Sequence, residues 1–118
     1  MYHILPKSQD NILGIRIEGR MEAKDYATLL PFVENLIAEH GSIRIFVDLR
    51  DFESISFGGV LKILPYAFKY SSHVEKKAVV TDKKWIYAWV KLLAPFFKTK
   101  VHCFPSSEVE QAWKWVRN

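Results

Sequence analysis

Three β-prone runs, Ile43–Leu49, Lys76–Thr81 and Thr99–Phe104, each follow a stretch of helical periodicity, and this alternation constrains the fold more than any other feature. A strand that returns beside its predecessor through a helix must run parallel to it, with a right-handed crossover. Ala78-Val79-Val80 is continuously apolar, as a central strand covered on both faces should be. Upstream, Ile12–Glu18 alternates, with Leu13, Ile15 and Ile17 on one face and Gly14, Arg16 and Glu18 on the other. That period of two predicts a half-buried strand. Tyr2–Leu5 is a short apolar run separated from it by the polar turn Lys7–Asn11, which predicts an antiparallel edge strand. The expected fold class is therefore α/β: a mixed five-stranded sheet, four parallel strands plus an antiparallel first strand, with four helices.

The helices read as follows. In Glu22–His40, residues Tyr26, Leu29, Leu30, Val33, Leu36 and Ile37 recur at spacings of three and four and share one face. Glu22 and Asp25 lie in its first turn, where carboxylates favour the helix dipole, and Gly41 is placed to end it. Pro31 within it predicts a kink or a restart. A loop, Arg50–Ser56, leads to a second helix, Phe57–Ser71, with Pro65 inside. The third helix spans Lys83–Leu93. Ser106 or Ser107 is expected to cap a last helix carrying Val109, Ala112, Trp113 and Val116. The pattern does not say which sheet face each helix covers.

At 118 residues the chain fits one domain, spanning 1–118, and with 49% apolar residues it can bury a core without disulfides or metals. Its one cysteine, Cys103, reads as a small buried hydrophobe and fits a reducing compartment. Met1–Lys7 lacks a basic segment followed by a long apolar stretch, so no secretory signal is expected. No apolar run approaches the length of a membrane span. These features predict a cytoplasmic protein, with peripheral membrane contact left open.

Charge is uneven. Phe57–Phe104 holds nine lysines against two acids, Glu75 and Asp82. Such a segment is either a solvated surface or an attractor of phosphate-bearing partners and anionic head groups. Catalytic and metal signatures do not emerge. His3, His40, His73 and His102 are scattered, and no Walker loop, nucleophile elbow or zinc-helix spacing occurs. Asp48, Arg50, Asp51, Glu53, Ser54 and Ser56 gather beyond a strand end, where α/β sheets place ligands. Ser56 reads either as an N-cap or as an acceptor for a phosphate at a helix N-terminus. No catalytic residue, metal ligand or cofactor is assigned. The chain has neither an arginine-rich recognition helix nor the aromatic strand signature of an RNA-binding sheet, so no nucleic-acid partner is expected.

The second and third helices are unusual. Phe57, Val60, Leu61, Leu64, Ala67 and Phe68 stripe one; Trp85, Ile86, Trp89, Leu92 and Leu93 stripe the other, followed by Pro95-Phe96-Phe97. Lysines flank both. The stripes suit a core, the lining of an apolar cavity, or a membrane interface where rings dip in and ammonium groups meet head groups. They would serve a homodimer equally.

Several stretches resemble the SpoIIAA-like family. They are Ala23-Lys24-Asp25-Tyr26 with Leu30-Pro31, Ile43–Phe52, Val74–Asp82 with Trp85, and Val101–Phe104 with Glu110–Trp113. The likeness spans nearly the whole chain. That family is similar to STAS domains, which implies a mixed sheet with helices and a non-catalytic role in protein interaction, sometimes switched by phosphorylation. It also looks like the lipid-binding CRAL-TRIO fold, which implies an apolar ligand or membrane association. Anti-sigma antagonists carry Asp-Ser-Ser/Thr-Gly before the second helix. This chain has Ser54-Ile55-Ser56-Phe57-Gly58-Gly59, in which Ser56 matches the phosphorylated serine while the aspartate and the adjoining glycine are absent.

The expected function is a non-catalytic binding or regulatory module for an apolar or lipid-like ligand or an anionic membrane surface. Phe57, Leu61, Leu64, Phe68, Trp85, Trp89, Phe96 and Phe97 would make the apolar contact. Lys62, Lys69, Lys83, Lys84 and Lys91 would supply electrostatics. The alternative is a protein-interaction regulator with a phospho-switch at Ser56.

Overall fold

The computed structural model describes residues 1–118, apart from the side chain of Phe57. In chain order the elements are β1 (Tyr2–Ile4), β2 (Ile12–Ile17), β3 (Gly19–Met21), α1 (Ala23–His40), β4 (Ile43–Asp48), β5 (Phe52–Ile55), α2 (Phe57–Tyr70), β6 (Val74–Val80), α3 (Lys84–Leu93), β7 (Lys100–Phe104) and α4 (Val109–Arg117). Short 3-10 turns, Ala94–Phe96 and Ser106–Glu108, follow α3 and precede α4.

The main sheet has the order β1-β2-β4-β6-β7. β1 runs antiparallel to β2, and β2, β4, β6 and β7 are mutually parallel. This is the mixed five-stranded sheet that the alternation predicts. One addition was not legible. The stretch expected to be only a loop, Arg50–Ser56, contains β5, which pairs in parallel with β3 as a separate two-stranded sheet. Both strands are short, and Glu53 and Ser54 are exposed, so neither shows a clear alternation. Their pairing is a long-range event: Gly19, at φ +61°, lets the chain leave β2, and its N–H donates to the Asp51 carbonyl at 2.9 Å.

One further expectation is narrowed and one corrected. α1 runs on through Pro31 without a restart, and α2 holds Pro65 inside a single helix. Neither Ser106 nor Ser107 caps α4. Ser106 opens the 3-10 turn, its N–H donating to Asp82 Oδ1 at 2.9 Å, and Glu108 stands at the α4 N-cap. A carboxylate from the β6–α3 connection thus takes the amide near this terminus, and the helix starts one turn later.

Strand alternation divides the core into two halves. Phe46, Ala78, Val80 and Phe104 project to one face, where Ala112, Trp113 and Val116 of α4 cover them. Leu13, Ile15, Ile45, Val47 and Val79 project to the other, beneath α1 and Ile86 of α3. The α4 side is tightly closed. Trp113 stacks on Phe46 with ring centroids 3.9 Å apart. Gly14 leaves the space for the indole: a Cβ there would lie 2.6 Å from Trp113 Cη2. Lys76 and Arg44 then bind the exposed end of α4, Lys76 Nζ donating to the Trp115 carbonyl at 3.1 Å and Arg44 Nη1 to the Val116 carbonyl at 3.0 Å. Cations at a helix C-terminus satisfy carbonyls that have no partner within the helix.

Gly14→Ala is accordingly expected to destabilise the fold by about 1–3 kcal/mol, because the indole and its Phe46 partner must shift. Urea denaturation measures it. A loss under about 0.5 kcal/mol, the range of a neutral surface change, would mean that the indole does not depend on this space.

Candidate functional site

The other sheet face is not closed. Above it lies an apolar cavity of about 440 Å³. The floor is formed by Ile15, Ile45, Val47, Lys77, Val79 and Val101 from β2, β4, β6 and β7. Tyr26, Leu29 and Val33 of α1 close one side. Ile63, Leu64, Ala67 and Tyr70 of α2 and Trp85, Ile86, Trp89 and Leu93 of α3 form the roof. Tyr66, Trp85 and Trp89 line the space and are also exposed, so its mouth opens between α2 and α3.

The cavity arises from how α2 is held. α1 buries Tyr26, Leu29 and Ile37, and α3 buries Ile86. Among the described residues of α2, no large apolar side chain is buried. This helix packs along α1 but stands off the sheet, and its apolar residues line space instead of filling it. An apolar lining gives water few partners. The volume falls within the roughly 300–1,000 Å³ range of small-molecule pockets.

The residues named from sequence divide. Leu64, Trp85, Trp89 and Phe97 line the cavity. Leu61, Phe68 and Phe96 do not; they are exposed, with Phe68 stacked on Phe97 at 4.8 Å. The side chain of Phe57 lies outside the described residues. Sequence reasoning missed Ile63, Tyr66 and Tyr70, because it set the apolar stripe of α2 about one residue out of phase. It also missed the contribution of α1 through Tyr26, whose phenol burial pushes up to about 12. Lys62, Lys69, Lys84 and Lys91 are exposed, and Lys83 is half-buried. Lys77, not singled out for any role, lines the cavity.

Ser56 is the N-cap of α2. Its backbone is extended, and its Oγ accepts from the Gly59 N–H at 3.0 Å. Gly59 is confined there, since a Cβ would lie 3.0 Å from Ser56 Oγ and 3.2 Å from the Tyr26 ring. The acids beyond β4 are engaged in structure. Asp48 is buried; its Oδ1 accepts from the Arg50 N–H and Nε, each at 3.0 Å, and its Oδ2 from Nη2 at 2.7 Å. Burial pushes the Asp48 carboxyl up, but the Arg50 hydrogen bonds and charge outweigh it and hold the group below its ordinary range. Asp51 pairs with Arg16 at 2.6 Å, and Glu53 is exposed. Cys103 is half-buried on the cavity side of β7, its thiol pushed up by burial. Among the described residues no three His, Cys, Asp or Glu side chains are grouped to hold a metal, and no helix is long and apolar enough to cross a membrane.

A mixed sheet closed by α4 on one face and capped by three helices on the other is an α/β fold of the SpoIIAA-like type. The chain belongs to the SpoIIAA-like family, whose model matches residues 12–117. Two solved structures share the fold. One is an uncharacterized protein of the DUF3478 family with a SpoIIAA-like fold, from Shewanella loihica PV-4 (TM-score 0.82, 18% identity, covering 98% of this chain and 93% of the other). The second is the anti-sigma factor antagonist SpoIIAA in its unphosphorylated form (TM-score 0.69, 10% identity, covering 100% of this chain and 99% of the other). No curated protein matches the chain.

The Asp48–Arg50 pair gives a pH prediction. A carboxyl held below its unfolded value stabilises the fold above that value, and the contribution is lost as pH falls through the folded one. Asp48→Asn should therefore cost about 1–3 kcal/mol at neutral pH. It should also flatten the acid limb of a plot of melting temperature against pH. An acid limb identical to that of the unaltered protein would remove Asp48 as a contributor.

Proposed function

We propose that this chain is a non-catalytic binding module that takes an apolar or lipid-like ligand in the cavity between α2, α3 and the sheet. The observation that carries the reading is the stand-off of α2: an apolar helix held over an apolar space of about 440 Å³ with its mouth between two aromatic-bearing helices. Filling that space with a hydrocarbon removes apolar surface from water on both partners, at roughly 25 cal/mol per Å². The rim supports delivery from a lipid surface. Leu61 and Phe68 of α2, Trp89 and Leu92 of α3, and Phe96 in the turn after α3 are exposed, and Lys62, Lys69, Lys84 and Lys91 are exposed on the same two helices. Rings and ammonium groups so arranged suit contact with an anionic bilayer.

The test uses a neutral apolar fluorophore, N-phenylnaphthylamine. The purified protein should enhance its emission saturably. Ala67→Trp, which puts an indole into the space from α2, should abolish the enhancement and leave the far-UV circular dichroism unchanged. An enhancement that Ala67→Trp does not alter would place the apolar site elsewhere and sink the reading.

A second reading is a protein-partner regulator switched at Ser56. Its support is the position of that hydroxyl at the N-terminus of α2, where free amides and the helix dipole favour an added phosphate. Ser56→Asp should change which proteins are retained in an affinity pull-down while the melting temperature stays within a few degrees. An unchanged set of retained proteins would count against the switch.

A further inference from the structure

Lys76 and Lys77 are adjacent on β6, so their side chains leave opposite faces of the sheet. Lys76 goes to the α4 side, where its Nζ holds the Trp115 carbonyl at 3.1 Å. Lys77 goes to the cavity side, flanked in register by Ile45 on β4 and Val101 on β7, both cavity-lining and apolar. It is the one charged residue among the described residues that line the cavity. It is only partly exposed, and among the described residues it makes no ion pair and no side-chain hydrogen bond. Neither Glu34, which accepts from Tyr70 Oη at 2.6 Å, nor Glu75, which lies 3.5 Å from Arg44, pairs with it.

An ammonium in apolar surroundings is stable only when a counter-charge or good acceptors meet it. The protein offers Lys77 neither. Burial pushes its amine below the ordinary lysine range, the direction expected of a cation whose partner is missing. Two more polar residues of the lining, Thr99 and Ser71, stand on the side of the strands' N-terminal ends. Thr99 precedes β7 by one residue, on the alternation of Val101, and Ser71 follows α2; Thr99 Oγ1 donates to the Ser71 carbonyl at 3.0 Å. Trp85 and Ile86, near the start of α3, line the opposite, C-terminal end of the strands. Lys77, at the middle of β6, is the one charge among the described residues of this lining, and the apolar side chains of α3 lie toward the C-terminal end.

We propose that the cavity takes an anionic amphiphile, in its simplest form a long-chain carboxylate, with the head group on Lys77 Nζ and the tail running between α2 and α3 toward Trp85. This rests on the cavity reading above and adds the charge of the ligand to it. Lys77 is then the specificity residue: an apolar tail alone enters the space, and the carboxylate is what the cavity selects.

The experiment is displacement of N-phenylnaphthylamine from the full chain by two competitors of equal tail, dodecanoate and dodecanol. Because the fluorophore is neutral, its binding reports the cavity independently of Lys77. Dodecanoate should displace it at a concentration lower by about tenfold or more, the value of a charge-assisted hydrogen bond in low dielectric. Lys77→Met keeps the chain length and removes the charge. It should retain the fluorophore and lose the preference for dodecanoate, and Lys77→Arg should restore it. Equal displacement by the two competitors in the unaltered protein would overturn the inference without any variant. A preference that survives Lys77→Met would overturn it as well, and in both cases the cavity reading stands. Failure of the fluorophore to bind at all would instead remove the cavity reading and this inference with it.

Discussion

The indole of Trp113 lies where Gly14 has no side chain, flat against Phe46, and the rest of the molecule is arranged around that contact. It fixes α4 to the strands β2 and β4. The two basic side chains that hold the α4 carbonyls, Arg44 and Lys76, come from β4 and β6, so the cover is pinned across three adjacent strands. With one face closed by nine residues of helix, the remaining three helices must all lie on the opposite face.

Three helices have more surface than that face needs, and the connections decide how the surplus is used. α1 is seated by Tyr26, Leu29 and Ile37, and α3 by Ile86. α2 begins at the end of β5, in the small second sheet, with Ser56 capping it and Gly59 fitted against the Tyr26 ring. Its start is therefore set by contacts beside the main sheet and not by burial upon it. A helix so anchored can remain above the strands, and the space beneath it is a consequence of that anchoring. The acids that might have suggested chemistry serve the same end. Asp48 binds Arg50 and shapes the turn that leads into β5, and Asp51 meets Arg16 of β2.

Much of the fold was legible. The order of strands and helices, the antiparallel edge and the parallel remainder follow from alternation and periodicity along the chain. What escaped were features made by distant partners. β3 and β5 are too short to show a pattern and exist because Gly19 and Asp51 meet. Ser106 was a reasonable cap until Asp82 supplied an acceptor for its amide. At the candidate site, four of the eight apolar residues expected there line the cavity. Leu61, Phe68 and Phe96 are exposed, and which side of the α2 stripe meets the cavity was not legible because that helix is apolar on more than one side.

Lys76 and Lys77 mark the division between what the chain alone determines and what only its folding decides. The sequence requires that the two side chains point to opposite faces, since a strand alternates with a period of two. It also requires that both faces be covered, since helices enter and leave each parallel strand. It does not contain which face receives the compact cover of α4 and which the raised roof of α2, for that depends on contacts between residues far apart in the chain. Lys76 is a clasp for a helix end on one side, its neighbour Lys77 a charge facing an apolar cavity on the other, and the packing of the helices makes the difference.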